Sequence, residues 1–390
     1  MNFRPADPGY HMPAEWEPHE GAWLQWPQDR VEPGYEMKQE YTWLKMVAAL
    51  FQHENVHIVV GNERQRDHVA RQLDYFGIGH HRVDLFVIPF NDIWARDNGP
   101  IYVIGDKGDL TITNWRFNGW GDRFEYDLDD QVPAKIGQML DIPVVDAPLV
   151  LEGGAVEVNG RGAFMATRSS IFDPFRNPGR SQAQIEAILE QYLGVNHFIW
   201  LTGAGRGECE KWGDTTDSHI DIVARFTNES TILYNCTDDR ADPRYPMFAR
   251  HLEELKAATT EDGRPFTLVP LPVPKNGVHQ VASDSQWRSS RYTDATYSNY
   301  LVANGVVLMP VFGNVYDERA KRIIAEQFPG REVVAIDAVS LTEDGGAIHC
   351  VTQQQPLCEP RGGGAKGQRS KGTGEDTFPS VAVEALQRSQ

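Results

Sequence analysis

Gly345-Gly346-Ala347-Ile348-His349-Cys350-Val351-Thr352-Gln353-Gln354-Gln355-Pro356 lies near the end of the 390-residue chain and orders the reading of everything before it. The glycine pair admits backbone conformations that residues with side chains resist. A short β-prone run follows, with Cys350 in its middle and Pro356 closing it. A thiol so placed sits where a turn passes into a strand, a position suited to presenting a nucleophile to a pocket. Two questions then arise for the rest of the chain: which residues arm that sulfur, and what they hold against it.

Upstream, short β-prone runs alternate with amphipathic stretches. Residues 57–60, 83–89, 100–104, 110–113, 162–166, 197–201, 218–226, 231–235, 266–273, 300–311 and 333–337 read as strands. Residues 41–52, 63–76, 181–192, 246–259 and 317–328 read as helices. The third carries a capping box, Ser181 with Gln184, and a stop at Gly194. Strands alternating with helices predict an α/β protein. Before residue 360 there is no GxGxxG and no GxxxxGK[ST], so neither nucleotide fingerprint marks a strand-to-helix turn. Composition is even to about residue 360, which predicts one domain over 1–360. From Arg361 it changes to Gly, Lys, Arg and Ser without core-forming residues, so 361–390 reads as a disordered tail.

The balance of 55 acidic against 37 basic residues gives a formal net charge of −18. That argues against nucleic acid or an anionic membrane as partner and suits a small cationic ligand, although solubility alone explains it too. No apolar run approaches the roughly 18 residues of a membrane span. Residues 1–12 lack the basic-then-apolar pattern of a secretory signal. With only Cys209, Cys236, Cys350 and Cys358, reduced thiols in a cytoplasmic protein are expected.

Three further stretches hold groups able to act with Cys350. In Asp217-Ser218-His219-Ile220-Asp221-Ile222, strand alternation puts His219 and Asp221 on one face. In Trp94-Ala95-Arg96-Asp97-Asn98-Gly99-Pro100 a carboxylate falls in a Gly-Pro turn. In Leu151-Glu152-Gly153-Gly154, Glu152 lies between an apolar run and two glycines, where a carboxylate loses water and needs a partner. Each has a plainer reading: a surface ion pair, a local turn bond, a hairpin carboxylate. Together a thiol, an imidazole and three carboxylates admit acyl transfer, metal binding or attack on a guanidinium carbon. No CxxC supports a metal, and none is expected. The surplus of carboxylates fits a guanidinium best, since that group is planar, permanently charged and carries five donors in a fixed fork.

With these residues assembled, the sequence resembles the agmatine deiminase family, which includes bacterial peptidyl-arginine deiminase-like proteins. The matching motifs are Met12-Pro13-Ala14-Glu15-Trp16-Glu17-Pro18-His19, Arg96-Asp97-Asn98-Gly99-Pro100, Leu151-Glu152-Gly153-Gly154, Arg176-Asn177-Pro178, His219-Ile220-Asp221, Asn299-Tyr300 with Asn304-Gly305, and the segment from Gly345 to Pro356. The resemblance implies a five-bladed α/β propeller of ββαβ units about a pseudo-fivefold axis, with the site in a central channel. It implies that Cys350 is the nucleophile, His219 the general acid and base, and Glu152 its carboxylate partner. Asp97 and Asp221 would grip the guanidinium, with Trp94 beside it. No cofactor or metal is implied, and self-association is common in the family.

The implied reaction is hydrolysis of agmatine to N-carbamoylputrescine and ammonia. Alternatives are deimination of peptidyl-arginine, arginine or another guanidino compound, transfer of the amidino group to an amine, or non-catalytic guanidine binding. Ser218 stands where the family usually has Gly, Asn98 where Thr is frequent, and the segment from Gly203 to Trp212 lacks a close counterpart. A substrate carboxylate would need an arginine, and Arg96, Arg116, Arg123, Arg168, Arg176 and Arg206 leave that open. Trp16, Trp23 and Trp26 are expected in the core or a pocket wall. His349 is expected on the strand face opposite Cys350, in a structural role.

Overall fold

Apolar strands that cannot bury both faces alone need a helix against them, and the chain meets that need repeatedly. The computed structural model describes residues 9–28, 35–275 and 294–358, with side chains from residue 39 in the first helix. The tail expected at 361–390 lies outside the described residues. The described residues form a mixed α/β fold of five small sheets, none closed on itself.

Four sheets share one pattern: an antiparallel hairpin, a helix, then a third strand parallel to the second. The first joins Ile101–Ile104, Leu110–Arg116 and, after helix Val132–Leu140, Val144–Val150. The second joins Glu157–Val158, Ala163–Thr167 and, after helix Gln182–Leu193, His197–Leu201. The third joins Ala224–Asn228, Thr231–Cys236 and, after helix Tyr245–Ala257, Thr267–Pro272. The fourth joins Leu301–Ala303, Val306–Val311 and, after helix Asp317–Gln327, Glu332–Asp337. In the remaining sheet Thr352–Pro356 pairs antiparallel with His19–Gln25, which runs parallel to Asn55–Val60, itself parallel to Val83–Val87. The late segment that carries Cys350 is thereby tied to the start of the chain. The Trp23 indole donates to Gln355 Oε1 across that seam at 2.9 Å.

Each helix covers its sheet with an apolar stripe. Ile185, Leu189 and Leu193 of helix Gln182–Leu193 recur at helical spacing and are buried with Phe164 and Leu149. Its ends are those the sequence predicts, a reciprocal capping box at Ser181 and Gln184 and a left-handed Gly194. Trp23 and Trp26 are buried and Trp16 is partly buried against the core.

Two strand expectations are corrected. Residues 300–311 are not one run: Asn304-Gly305 turns the chain with Gly305 at φ 73°, making a hairpin. The strand expected from residue 218 begins only at Ala224. Before it, Asp217 and Ser218 take left-handed φ of 63° and 62°, and the Asp214 carboxylate accepts from the amides of Thr216 and Ser218 at 2.7 Å each. Those side-chain bonds replace a ladder, so His219 and Asp221 sit on a tight turn, Ile220–Ile222. Ser218 adopts the conformation that glycine takes most easily, which accounts for the residue type usual there.

Gly194→Ala tests the capping: φ is 68° and an added Cβ would collide with the Tyr10 carbonyl oxygen. A loss of about 2 kcal/mol or more in urea unfolding is expected, with activity per folded molecule unchanged.

Candidate active site

Five loops bring their side chains to one place, each just ahead of the edge strand that pairs antiparallel in its sheet. Asp97 precedes Ile101, Glu152 precedes Glu157, His219 and Asp221 precede Ala224, Asn299 precedes Leu301, and Cys350 precedes Thr352. Cys350, Asp97 and Trp94 retain slight exposure (4%, 5% and 7%), whereas His219, Asp221 and Glu152 have none.

Gly154 marks the centre. A Cβ built there would meet His219 Nδ1 at 2.6 Å, Asp97 Oδ1 at 2.7 Å and Asp221 Oδ2 at 3.2 Å. Only glycine lets these three groups approach, and its own amide donates to Asp97 Oδ1 at 3.0 Å. Gly346 does the same for the loop that carries Cys350: a Cβ there would collide with the Trp94 ring and lie 3.1 Å from the Cys350 sulfur.

Asp97 does not occupy a simple turn. It lies in a short helix, Ala95–Asn98, and its partners are distant in sequence: the Gly154 amide and the Trp120 indole, which donates to Oδ2 at 2.9 Å. Burial, with Asp221 and Glu152 nearby, raises its pKa to about 6 against the pull of His219 and Trp120. His219 lies with Nε2 3.3 Å from Glu152 Oε2 and Nδ1 3.6 Å from Asp97 Oδ1. Burial opposes its charge, but Asp97, Glu152 and Asp221 outweigh that and raise its pKa to about 9. Glu152 is itself buried; Arg176 and then His219 overcome that and hold it below the usual carboxylate range. Arg176 Nε donates to both Glu152 oxygens at 2.7 and 3.0 Å and Nη1 to Asp217 at 2.6 Å. Arg176 belongs to a motif quoted from the sequence without a role.

The Cys350 sulfur is 3.3 Å from Asn299 Nδ2 and 3.8 Å from Asp221 Oδ2. Burial, then Asp221 and Asp97, push the thiol well above its ordinary pKa. Asp221 Oδ2 accepts from Asn299 Nδ2 at 3.1 Å and faces His349 Nδ1 at 2.8 Å. Despite burial, His349 above all keeps Asp221 below its ordinary range. Its other oxygen, Oδ1, is buried with no partner.

The expectation for His349 is corrected. Cys350 precedes the strand, so alternation does not separate the two side chains, and the His349 ring reaches Asp221. Asn299 and Trp120 were also missed as site residues. Asn299 was visible only as part of a motif; Trp120 was signalled by its glycine neighbours. Gly119, Trp120, Gly121 and Asp122 all have left-handed φ, from 56° to 77°. A non-glycine residue so held costs about 1–2 kcal/mol. Arg123 Nη1 pins the turn by donating to Trp120 O at 2.8 Å, and Arg206 Nη2 donates to Gly121 O at 2.5 Å. Arg206, from the segment without a family counterpart, thus braces the indole that caps Asp97.

The expectation that no HExxH spacing occurs is corrected: His53-Glu54-Asn55-Val56-His57 matches it. It enters strand Asn55–Val60 instead of a helix, and His57 pairs with Glu20 at 2.7 Å. No metal-holding cluster of His, Cys, Asp and Glu occurs among the described residues.

The motif order matches known proteins over nearly the whole fold. A sequence profile of Porphyromonas-type peptidyl-arginine deiminases matches residues 11–356. The chain belongs to this family. An agmatine deiminase of Pseudomonas syringae pv. tomato is 33% identical over 374 residues, covering 91% of this chain and 98% of the relative. A relative from Selenomonas ruminantium is 34% identical over 375 residues, with 91% and 98% covered. The solved agmatine deiminase of Enterococcus faecalis has a TM-score of 0.82 at 29% identity, covering 91% of this chain and 98% of that one. The chain is a deiminase-type hydrolase acting on C–N bonds of amidines.

Gly154→Ala is expected to lower kcat/KM of the deiminase by about 10²-fold or more, because the methyl displaces three reacting or binding groups by a large part of an ångström. Steady-state assay of the folded variant checks this; ordinary turnover would show that the three groups need not meet.

Proposed function

We propose that the deiminase hydrolyses agmatine to N-carbamoylputrescine and ammonia through a covalent adduct on Cys350. The observation that carries this reading is the pair of carboxylates, Asp97 and Asp221, beside the Cys350 sulfur, with Asp221 Oδ1 buried and unpartnered. Such an acceptor needs donors, and a guanidinium brings five with a permanent charge.

In this reading Asp97 and Asp221 orient the fork, and the cation favours loss of the thiol proton to solvent, which the slightly exposed Cys350 still meets. The sulfur adds to the central carbon. His219, protonated in the free enzyme, passes its proton to one nitrogen, the C–N bond breaks and ammonia leaves. A thiouronium remains on Cys350. Neutral His219 then takes a proton from water and hydroxide adds to the carbon. As the C–S bond breaks, the hydroxyl proton of the adduct passes to the departing sulfur, which releases the ureido product and restores the thiol and protonated His219. Glu152, fixed by Arg176, keeps the imidazole oriented through both steps.

Agmatine is favoured over arginine by what the candidate arginines already do. Arg96 binds Gln354, Arg123 and Arg176 bind Asp217, Arg168 binds Gln182, and Arg206 binds Gly121 O. Arg116 is exposed on strand Leu110–Arg116. Recruiting any of the five bound arginines for a substrate carboxylate would break an existing contact.

We also take residues 1–360 as one deiminase domain whose five sheets surround the site about a pseudo-fivefold axis, in a cytoplasmic protein. No helix of the described residues is long and apolar enough to cross a membrane.

The test is ammonia and ureido product measured with agmatine, arginine, a C-terminal arginyl peptide and glycine plus arginine. Turnover of agmatine with the highest kcat/KM is expected; no product from any substrate refutes deimination. Cys350→Ala should bind agmatine without turnover, and ordinary turnover would exclude the covalent route. The pH profile of kcat/KM should be a bell. Below about 6 Asp97 gains a proton and loses its hold on the cation, and above about 9 His219 has no proton for the leaving nitrogen. A profile flat from pH 5 to pH 10 would sink both assignments.

A further inference from the structure

His349 lies between two buried carboxylates. Nδ1 is 2.8 Å from Asp221 Oδ2 and Nε2 is 2.8 Å from Glu15 Oε2. Contacts that short each need a proton, so Glu15, His349 and Asp221 share two protons among three groups. Burial, then Arg225 and Arg96, hold the His349 pKa below the ordinary imidazole value against the pull of Glu15 and Asp221, yet two contacts of 2.8 Å each require a proton between the partners, and the geometry decides.

Glu15 comes from the N-terminal motif and is held on every side. Its Oε2 accepts from Arg225 Nη2 at 2.7 Å, and its Oε1 accepts from the Val302 amide at 2.7 Å. Arg225 Nε binds Glu157 Oε2 at 2.8 Å, and its Nη1 donates to the carbonyls of Ser298 and Tyr300 at 3.1 and 2.8 Å. Arg225 and Glu157 lie in the first strands of two sheets, and Ser298 and Tyr300 lead into the first strand of a third. The His349 backbone is fixed as well: its amide donates to Asn299 O at 3.1 Å and its carbonyl accepts from Arg96 Nε at 3.4 Å. The ring therefore has little freedom to turn away from Asp221.

We infer that Glu15, His349 and Asp221 form a positioning relay: His349, anchored by Glu15, donates to Asp221 Oδ2 and so fixes the rotation of the carboxylate that is to meet the substrate guanidinium. The inference rests on the deimination reading and adds to it two positioning residues that do not touch substrate. It gives the first motif of the chain a task at the site and explains why a histidine adjoins the nucleophile. Asp221 is faced by His349 and Cys350 from the last loop, Asp97 and Arg96 from helix Ala95–Asn98, His219 from its own turn, and Asn299 and Arg225. Of these, His349 and Asn299 donate to it directly, and only His349 connects it to a second buried acid.

The test combines kinetics on full-length variants with proton NMR of 15N-histidine-labelled protein. His349→Ala should lower kcat/KM for agmatine by about 10²-fold and move its acid limb to higher pH, because Asp221 loses a donor. His349→Gln should recover at least about tenfold of that loss, since its amide can still donate. Glu15→Gln should move the acid limb in the same direction by less. In Cys350→Ala protein, which cannot turn over, two protected downfield ring protons of His349 are expected, and the one on Nδ1 should shift when agmatine is added. The relay is refuted if the folded variants keep the wild-type kcat/KM and pH profile, or if neither ring proton responds to agmatine. If His349→Ala does not fold, His349→Gln, Glu15→Gln and the spectrum decide. An active wild type with unresponsive variants overturns the relay alone, whereas a wild type that turns over no guanidino compound overturns the deimination reading and the relay with it.

Discussion

An ionised carboxylate with no solvent contact and one oxygen left without a donor is the constraint around which this molecule is built. Asp221 is such a group, and an uncompensated buried charge costs several kcal/mol. Two donors, Asn299 and His349, meet part of that cost. Asp97 lies close enough to share the burden, and the result is visible in its own raised pKa. The three carboxylates around His219 thus form a compact acidic cluster suited to a planar cation. Such a cluster persists only where the surroundings enforce it. Here the enforcement comes from Arg176, Arg123 and Asp217 behind Glu152, and from Arg225 and Glu15 behind His349.

The enforcement depends on a repeated position in the chain. Cys350, His219, Glu152, Asp97 and Asp221 each lie within five residues of the edge strand that follows them. Strands and covering helices carry the packing, and the loop ahead of each first strand is left to carry chemistry. One consequence is that local backbone detail matters more than strand geometry. Glycine at 154 and 346 lets loops approach within contact distance, and left-handed residues at 120, 217 and 218 turn side chains inward. A second is that the sheets brace one another through side chains: Arg225 alone touches residues of three different sheets or their leading loops.

Much of the scaffold was legible in the sequence. Helix Gln182–Leu193 announced both its ends, and strands such as His197–Leu201 stood out as short apolar runs between polar turns. Strands His19–Gln25 and Val144–Val150 did not, because their neighbours in space come from distant segments and no local pattern reports that. At the site, Cys350, His219, Glu152, Asp97 and Asp221 were all readable as residue types beside turns. The alternation that put His219 and Asp221 on one face was wrong in its cause: they meet on a tight turn, because Asp214 satisfies the backbone that a ladder would otherwise bind. Trp120, Asn299 and Glu15 carried no sign of their partners, since those contacts span 23 to 334 residues of sequence.

The same carboxylates that welcome a cation keep the nucleophile quiet in its absence. Burial, Asp221 and Asp97 all hold Cys350 as the neutral thiol, and a neutral thiol is a poor nucleophile. A unit positive charge about 4 Å from the sulfur is worth about 4 kcal/mol at the effective dielectric of a protein site. A guanidinium seated between Asp97 and Asp221 offsets by that amount the negative field that raises the thiol. His219 cannot substitute for it, because its charge is already committed to Glu152 and Asp97. In the deimination reading, arming of the sulfur therefore falls to the substrate, and a molecule without a permanent cation at this position would meet an unreactive thiol.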